Sequence, residues 1–235
     1  MLAIYKREMR SYFTGAVGYA FLVIYLAAAG IVFSYTTLFS MSADVTSFFT
    51  LMLIFSAVML PILTMKSFSE ERKTKTEQLV LTAPVSIFSM VAGKFLAAYS
   101  MFAMAHVFSS LYCLLLLPYG NLKAAVMLGN MLALLLVGMV FVSVGLFVSS
   151  LTENQLAAAV GTIAIILLLL AVGLIGLFLP TTYWLRFVLD AVSIFTRFQN
   201  FTAGYFDIAS VVYYLSVSAV FLYLTVRVYD RRRYN

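Results

Sequence analysis

Charge is scarce in this chain. Only 10% of the residues are Asp, Glu, Lys or Arg, where a soluble domain carries about a quarter. Acids are scarcer than bases, 9 against 15, so the net charge is +6. With 64% hydrophobic residues and a mean hydropathy of +1.04, this shortage excludes an ordinary soluble domain and points to a bilayer. The single cysteine, Cys113, rules out a disulfide within the chain. It sits in an apolar run without the electropositive, accessible setting that activates a thiol, so it reads as packing. The single histidine, His106, has no acidic or thiol neighbour for a metal site. It reads as a neutral ring bonding an adjacent helix, and Asn130 reads the same way. No phosphate loop occurs: Gly93-Lys94-Phe95 lacks both the upstream glycine and the hydroxyl residue, so the chain is not expected to hydrolyse ATP. No nucleophile elbow appears, nor a ladder of buried acids of the kind a proton-driven pump uses. An enzyme with its own cofactor or metal is therefore not expected.

What the chain does have is long apolar runs. They are too long and too continuous for barrel strands, which alternate over about ten residues. Main-chain groups in hydrocarbon must be satisfied internally, so these runs are helices. Six are long enough to span: roughly Val17–Leu38, Phe48–Met65, Phe88–Leu117, Ala124–Ser150, Leu156–Leu179 and Ile208–Val228. The third is long and is expected to start as an interfacial helix. Ala27-Ala28-Ala29 resembles a signal cleavage site, but the apolar run continues past it to Phe39, which argues against cleavage.

The positive-inside rule orients the spans. With both termini cytoplasmic, Lys6, Arg7, Arg10, Lys66, Arg72, Lys73, Lys75, Lys94, Arg227, Arg231, Arg232 and Arg233 lie inside. Only Lys123, Arg186 and Arg197 of the 15 cations lie outside. The net charge is thus a matter of topology and gives no reason to expect nucleic acid. Arg231-Arg232-Arg233 reads as a stop-transfer anchor, with acidic lipid as the other candidate ligand. Residues 1–16 read as an amphipathic helix in the membrane plane. Leu2, Tyr5, Met9, Tyr12 and Phe13 share one face, with Arg7 and Arg10 opposite, Lys6 at the border and Ile4 breaking the pattern.

The connections carry the remaining signals. Residues 66–87 hold a charged run, Lys66, Glu70, Glu71, Arg72, Lys73, Lys75 and Glu77, between two greasy spans. Thr74 and Glu77 have capping-box spacing, which predicts a short helix from about Lys75 to Thr82 ended by Pro84. Leu79, Val80 and Leu81 give it an apolar side, and Ser86 can cap the helix that follows. An exposed short helix with charge and apolar side chains is a docking surface; the alternative is a solvated turn without a partner. Thr152 and Gln155 repeat the capping-box spacing, which places Glu153 in the first turn of the fifth span. Residues 180–207 are rich in aromatics, among them Trp184, Phe195, Phe198 and Phe201. They read as short helices dipping into the outer leaflet and closing the outer end, or equally as an interfacial aromatic belt. Arg186 and Asp190 have the spacing of a helical ion pair.

Several stretches together resemble a known family. Phe68-Ser69-Glu70-Glu71-Arg72, followed by Thr76-Glu77-Gln78-Leu79-Val80-Leu81-Thr82-Ala83-Pro84-Val85-Ser86 and Gly93-Lys94, is similar to the first cytoplasmic loop of type-2 ABC transporter permeases. Ser149–Gln155 and Asn200–Asp207 resemble that family's gliding-motility-type branch. Thr76 stands where many relatives carry glycine. The resemblance covers nearly the whole chain and implies an all-α, six-span permease of an ATP-driven exporter in a bacterial cytoplasmic membrane. It implies ATP and Mg bound by separate ATPase subunits, and a second permease, identical or related, beside this one. It also implies that the loop is a coupling helix: Glu70, Glu71, Arg72 and Glu77 would orient it, Leu79, Val80 and Leu81 would fill the ATPase cleft, and Glu153 would add a smaller contact. The first, second and fifth spans would line the path. The competing readings are a membrane anchor that recruits a cytoplasmic protein without transport, and a stand-alone secondary transporter. The latter is expected to show broken helices and buried acids near the midplane.

Overall fold

In hydrocarbon the only partner available to a main-chain N–H or C=O is the chain itself, and each apolar run closes into a helix. A computed structural model describes residues 1–40, 44–78, 85–116, 124–178, 184–202, 204 and 206–234. Among them there is no strand. The helices are α1 (Leu2–Thr14), α2 (Ala16–Phe33), α3 (Thr46–Thr64), α4 (Lys66–Lys73), α5 (Ile87–Ser110), α6 (Ala124–Leu151), α7 (Gln155–Phe178), α8 (Trp184–Val192), α9 (Ile194–Thr202) and α10 (Ile208–Tyr234). Six segments are long and apolar enough to cross a membrane: Ala16–Leu38, Thr46–Lys73, Ile87–Leu116, Ala124–Leu151, Gln155–Ile175 and Ile208–Arg233. The chain is a multi-pass, all-α membrane protein.

α6 is the hub. It packs against α3, α5, α7 and α10, and its buried share is the largest of the six spans. Lipid tails are as apolar as leucine, so helices in a bilayer associate by close packing rather than by the hydrophobic effect. Two α6 glycines permit that packing. A Cβ on Gly138 would lie 1.9 Å from the Phe102 ring, and one on Gly145 would lie 2.1 Å from the Thr64 hydroxyl. The ring of Phe102 in turn stacks on His106 and meets Tyr25 edge-on.

His106 is fully buried, its ring stacked on Phe102 and edge-on to Phe49. The ring faces the backbone of Met131 on the neighbouring helix α6, the kind of contact expected for it, without reaching full hydrogen-bond geometry. Asn130 bonds its own helix instead, donating to the Val126 carbonyl at 2.8 Å.

Two span ends depart from a plain α-helix. α5 is a regular helix from its first turn, where Ser86 accepts from the Ser89 N–H, and its irregularity lies at the far end, where Leu111–Leu116 is a 3-10 turn. The end of α2 widens into a π-turn at Ser34–Leu38. There the Ser34 and Thr36 hydroxyls donate to the Gly30 and Val32 carbonyls, competing with the helical ladder. Beside this turn a groove of about 670 Å³ is lined by Tyr35, Thr36, Ser40, Thr46, Ser47 and Thr50.

α8 and α9 fold back over α6 and α7 at the end away from the termini. Phe198 and Phe201 are fully buried and Phe195 packs against the core. Trp184 does not join them: it is 76% exposed, as Phe187 is 80%. The four aromatics expected to close one gate therefore divide between core and outer surface, because α8 turns its aromatics away from the bundle. Tyr214 holds the α8–α9 junction by donating to the Ile194 carbonyl at 2.9 Å. Arg197 donates to the Ala191 carbonyl and lies 4.3 Å from the Tyr213 ring. The Arg186 side chain, and with it the expected pair with Asp190, lies outside the described residues. Asp207 begins α10, accepting from Ala209 N–H and the Ser210 hydroxyl, and the Ser210 bond first of all holds its carboxyl below the ordinary value.

Candidate functional site at the charged end of the bundle

The scarce charges collect at one end, where α1, α4, the end of α6 and the end of α10 meet. α4 continues from α3 after a break at Met65, whose side chain cannot cap a helix. The cap comes from another helix. Ser149 of α6 accepts from the N–H groups of Phe68 and Ser69 at 3.1 and 3.2 Å and donates to the Met65 carbonyl at 3.1 Å. One hydroxyl thus satisfies orphan groups on both sides of the break. Ser149→Ala is expected to cost about 1–2 kcal/mol, within the range of a lost cap or buried hydrogen bond. Thermal unfolding in detergent checks this, with Ser143→Ala, whose hydroxyl bonds only its own helix, as the smaller control.

Lys94 is the centre of the electrostatics. Its side chain is 1% exposed, and its ammonium donates to Glu8 at 3.2 Å, Glu71 at 2.9 Å and the Ser67 carbonyl at 2.7 Å. Those three acceptors match its three N–H donors. The ammonium also lies 5.1 Å from the Phe68 ring centroid. Arg7 completes the cluster, 2.6 Å from Glu8 and 2.8 Å from Glu71. Burial works against the Arg7 charge, but the hydrogen bond and attraction of Glu8, then those of Glu71, outweigh it and raise its pKa above the ordinary value. Two cations and two anions neutralise each other here, which is how buried charge is tolerated. A cleft of about 480 Å³ between α1 and α4 is lined by these residues together with Lys66 and Glu70.

This cluster corrects the expected face of α1. Ile4, Tyr5, Glu8, Met9, Tyr12 and Phe13 are the half-buried residues, while Leu2 is 67% exposed. Ile4, which broke the sequence pattern, packs on Gly93 of α5. Tyr5 donates to Ser100 at 3.3 Å. The helix turns this face toward the protein, because Glu8 within it must reach Lys94. Arg7 and Arg10 are exposed, as a cationic outer face requires.

The charged loop also departs from its capping box. Thr74 ends α4, its hydroxyl donating to the Glu70 carbonyl at 2.9 Å, and Lys75 adopts a left-handed φ of 59°. The chain is helical again at Glu77 and Gln78. The helix expected from Lys75 is thus preceded by an unexpected one, because the polar run continues the third helix by two turns before it bends. Glu70 is exposed, Glu71 faces α1 and α5, and Arg72 faces the end of α6. Leu79, Val80 and Leu81 lie outside the described residues.

At the second connection the capping box is again out of register. Asn154 is the cap, accepting from Leu156 and Ala157 N–H groups, while Thr152 accepts from Asn154 N–H. Glu153 therefore precedes the helix and pairs with Arg72 at 3.2 Å. Arg72 also donates to the terminal carbonyl of Leu151 at 2.8 Å, the favoured place for a cation at a helix C-terminus. Sequence reasoning gave Glu8 and Ser149 no structural role, and read Lys94 and Arg232 as topology markers, Lys94 also as part of the loop motif and Arg232 also as a candidate lipid contact. Lys94 carried the one available signal, a cation inside a long apolar run, which in a membrane is expensive unless paired.

The geometry ties a charged helical elbow to the first helix, two spans and the C-terminal helix, and among the described residues no group of His, Cys, Asp and Glu could hold a metal ion. No curated protein matches the chain. The description "ABC-2 family transporter protein" matches residues 47–233, nearly all of the membrane bundle together with the elbow at α4. The chain therefore belongs to the ABC-2 transporter family, as a membrane permease of an ABC transporter.

Proposed function

We propose that the chain is the permease of an ATP-driven exporter in a bacterial cytoplasmic membrane, of the gliding-motility-type branch. It works with separate cytoplasmic ATPase subunits that bind ATP and Mg, and beside a second permease, identical or related. Both termini face the cytoplasm, in keeping with the distribution of Lys and Arg. The observation that carries this reading is α4. It is a polar helix that follows directly on a transmembrane helix and is held to α1, α5 and α6 through Arg7, Lys94 and Ser149, so a push on the loop reaches the bundle. A floppy tether could not transmit it. Glu71 and Arg72 orient the elbow from within through charge-assisted bonds. Exposed Glu70, with Leu79, Val80 and Leu81, is assigned the contact with the ATPase.

A gentle-detergent pull-down of the tagged chain, with the retained proteins identified by mass spectrometry, tests this. Recovery of an ABC ATPase, lost when Leu79 and Leu81 are replaced by Asp, is the expected result. Recovery of the chain alone, still folded, overturns it. Glu71→Ala leaves Lys94 with Glu8 and Ser67, so the protein is expected to fold. Its permease-dependent ATP turnover is expected to fall severalfold through a loosened elbow. Undiminished turnover in Glu71→Ala removes Glu71 from the coupling role.

A further inference from the structure

The three terminal arginines are not equivalent. Arg231 and Arg233 are exposed, but the Arg232 side chain is turned inward and is 24% exposed. Its guanidinium divides its donors between two elements: Nη1 meets Glu77 at 3.2 Å, and Nη2 donates to the Ser150 carbonyl at 2.6 Å. That carbonyl is one of the orphan acceptors at the end of α6. The guanidinium also lies 5.2 Å from the Tyr229 ring, and Tyr229 packs on Phe68 of α4 with ring centroids 4.8 Å apart. Phe68 and Tyr229 are both buried, so Lys94, Phe68, Tyr229 and Arg232 form a continuous row across α5, α4 and α10. An exposed ion pair would contribute little. This one is shielded, and Glu77 itself is only 12% exposed.

We infer that Arg232 is a positioning residue for the docking loop, an inference that rests on the proposed coupling role of that loop. It ties Glu77, the last turn before the docking leucines, to the ends of α6 and α10. Displacement of the loop is then carried into the sixth span as well as the second. A stop-transfer anchor needs only charge, and Arg231 or Arg233 would serve it equally. Holding Glu77 and the Ser150 carbonyl together requires the fork of an arginine, which a lysine's point charge does not reproduce.

The test uses the full chain assembled with its ATPase subunits in lipid nanodiscs, comparing Arg232→Gln, Arg232→Lys and Arg233→Gln. Hydrogen exchange of residues 74–78 reads position, and permease-dependent ATP turnover reads coupling. Arg232→Gln is expected to speed exchange in that segment roughly tenfold while the span cores stay protected. It is expected to lower ATP turnover about fivefold with the ATPase still bound, with Arg232→Lys intermediate and Arg233→Gln unchanged. Unchanged exchange in Arg232→Gln overturns the inference. Faster exchange with normal turnover also overturns it and leaves the permease assignment intact. Failure of the unaltered chain to retain any ATPase overturns the proposed coupling to ATPase subunits, and the positioning role with it.

Discussion

Lys94→Ala is expected to destabilise the protein by about 3–5 kcal/mol, the range for breaking a buried ion pair from one side. The substitution leaves Glu8, Glu71 and the Ser67 carbonyl without the ammonium that now satisfies all three. Arg7 remains on both carboxylates but reaches them from the exposed side, and its own side chain is 51% exposed. Lys94→Met restores volume without charge and is expected to remain nearly as unstable. The deficit lies in the stranded carboxylates, so adding Glu8→Gln and Glu71→Gln to Lys94→Met is expected to recover most of the loss. Cys113 supplies the reporter. It is the single cysteine and is fully buried, so its labelling by a thiol-reactive dye on heating reads unfolding directly. A Lys94→Ala protein as stable as the parent would show that the cluster is solvated and contributes nothing.

Gly138→Ala is expected to cost about 1–3 kcal/mol, and Gly138→Val more, by overpacking the hub helix. The added Cβ would sit 1.9 Å from Phe102, far inside any real contact. Phe102 has little room to yield, since it is fully buried against His106 on one side and Tyr25 on another. The helices would have to separate, and in a bilayer that separation forfeits the packing that holds them together. Gly161→Ala is the control: its Cβ would meet only Val148 at 3.3 Å, a contact that a small shift relieves. The same dye-labelling measurement applies. Phe102→Leu is expected to rescue Gly138→Ala in part, because it removes the ring atoms that clash. Equal loss in Gly138→Ala and Gly161→Ala would refute the close approach.

The six spans and the placement of the charged loop were readable without coordinates. Spanning length and apolarity are properties of a contiguous stretch, set by the thickness of the hydrocarbon and the need to satisfy the main chain within it. The Ser86 cap was readable for the same reason, since its partner is Ser89, three residues on. Local signals failed where two candidates lay within a residue or two. Thr152 and Asn154 both suit a cap, and the choice fell to Asn154, which leaves Glu153 outside the helix and free to reach Arg72. Ile4 looked like a defect in α1 because amphipathicity was judged against a flat membrane; the surface it meets is Gly93 of another helix.

The site itself belongs to the tertiary level. Glu8 and Lys94 are 86 positions apart, Ser149 and Phe68 81, Arg232 and Glu77 155. Which helix stands beside which is decided by close fits such as Gly138 on Phe102 and Gly145 on Thr64. A carboxylate finds its ammonium only after those fits are made. Composition and patterning confined the chain to the bilayer and named its polar elbow, because solvent acts on every residue locally. The partners of each charge followed from packing, because in a low-dielectric interior a buried ion persists only where the assembled fold brings it a counter-ion.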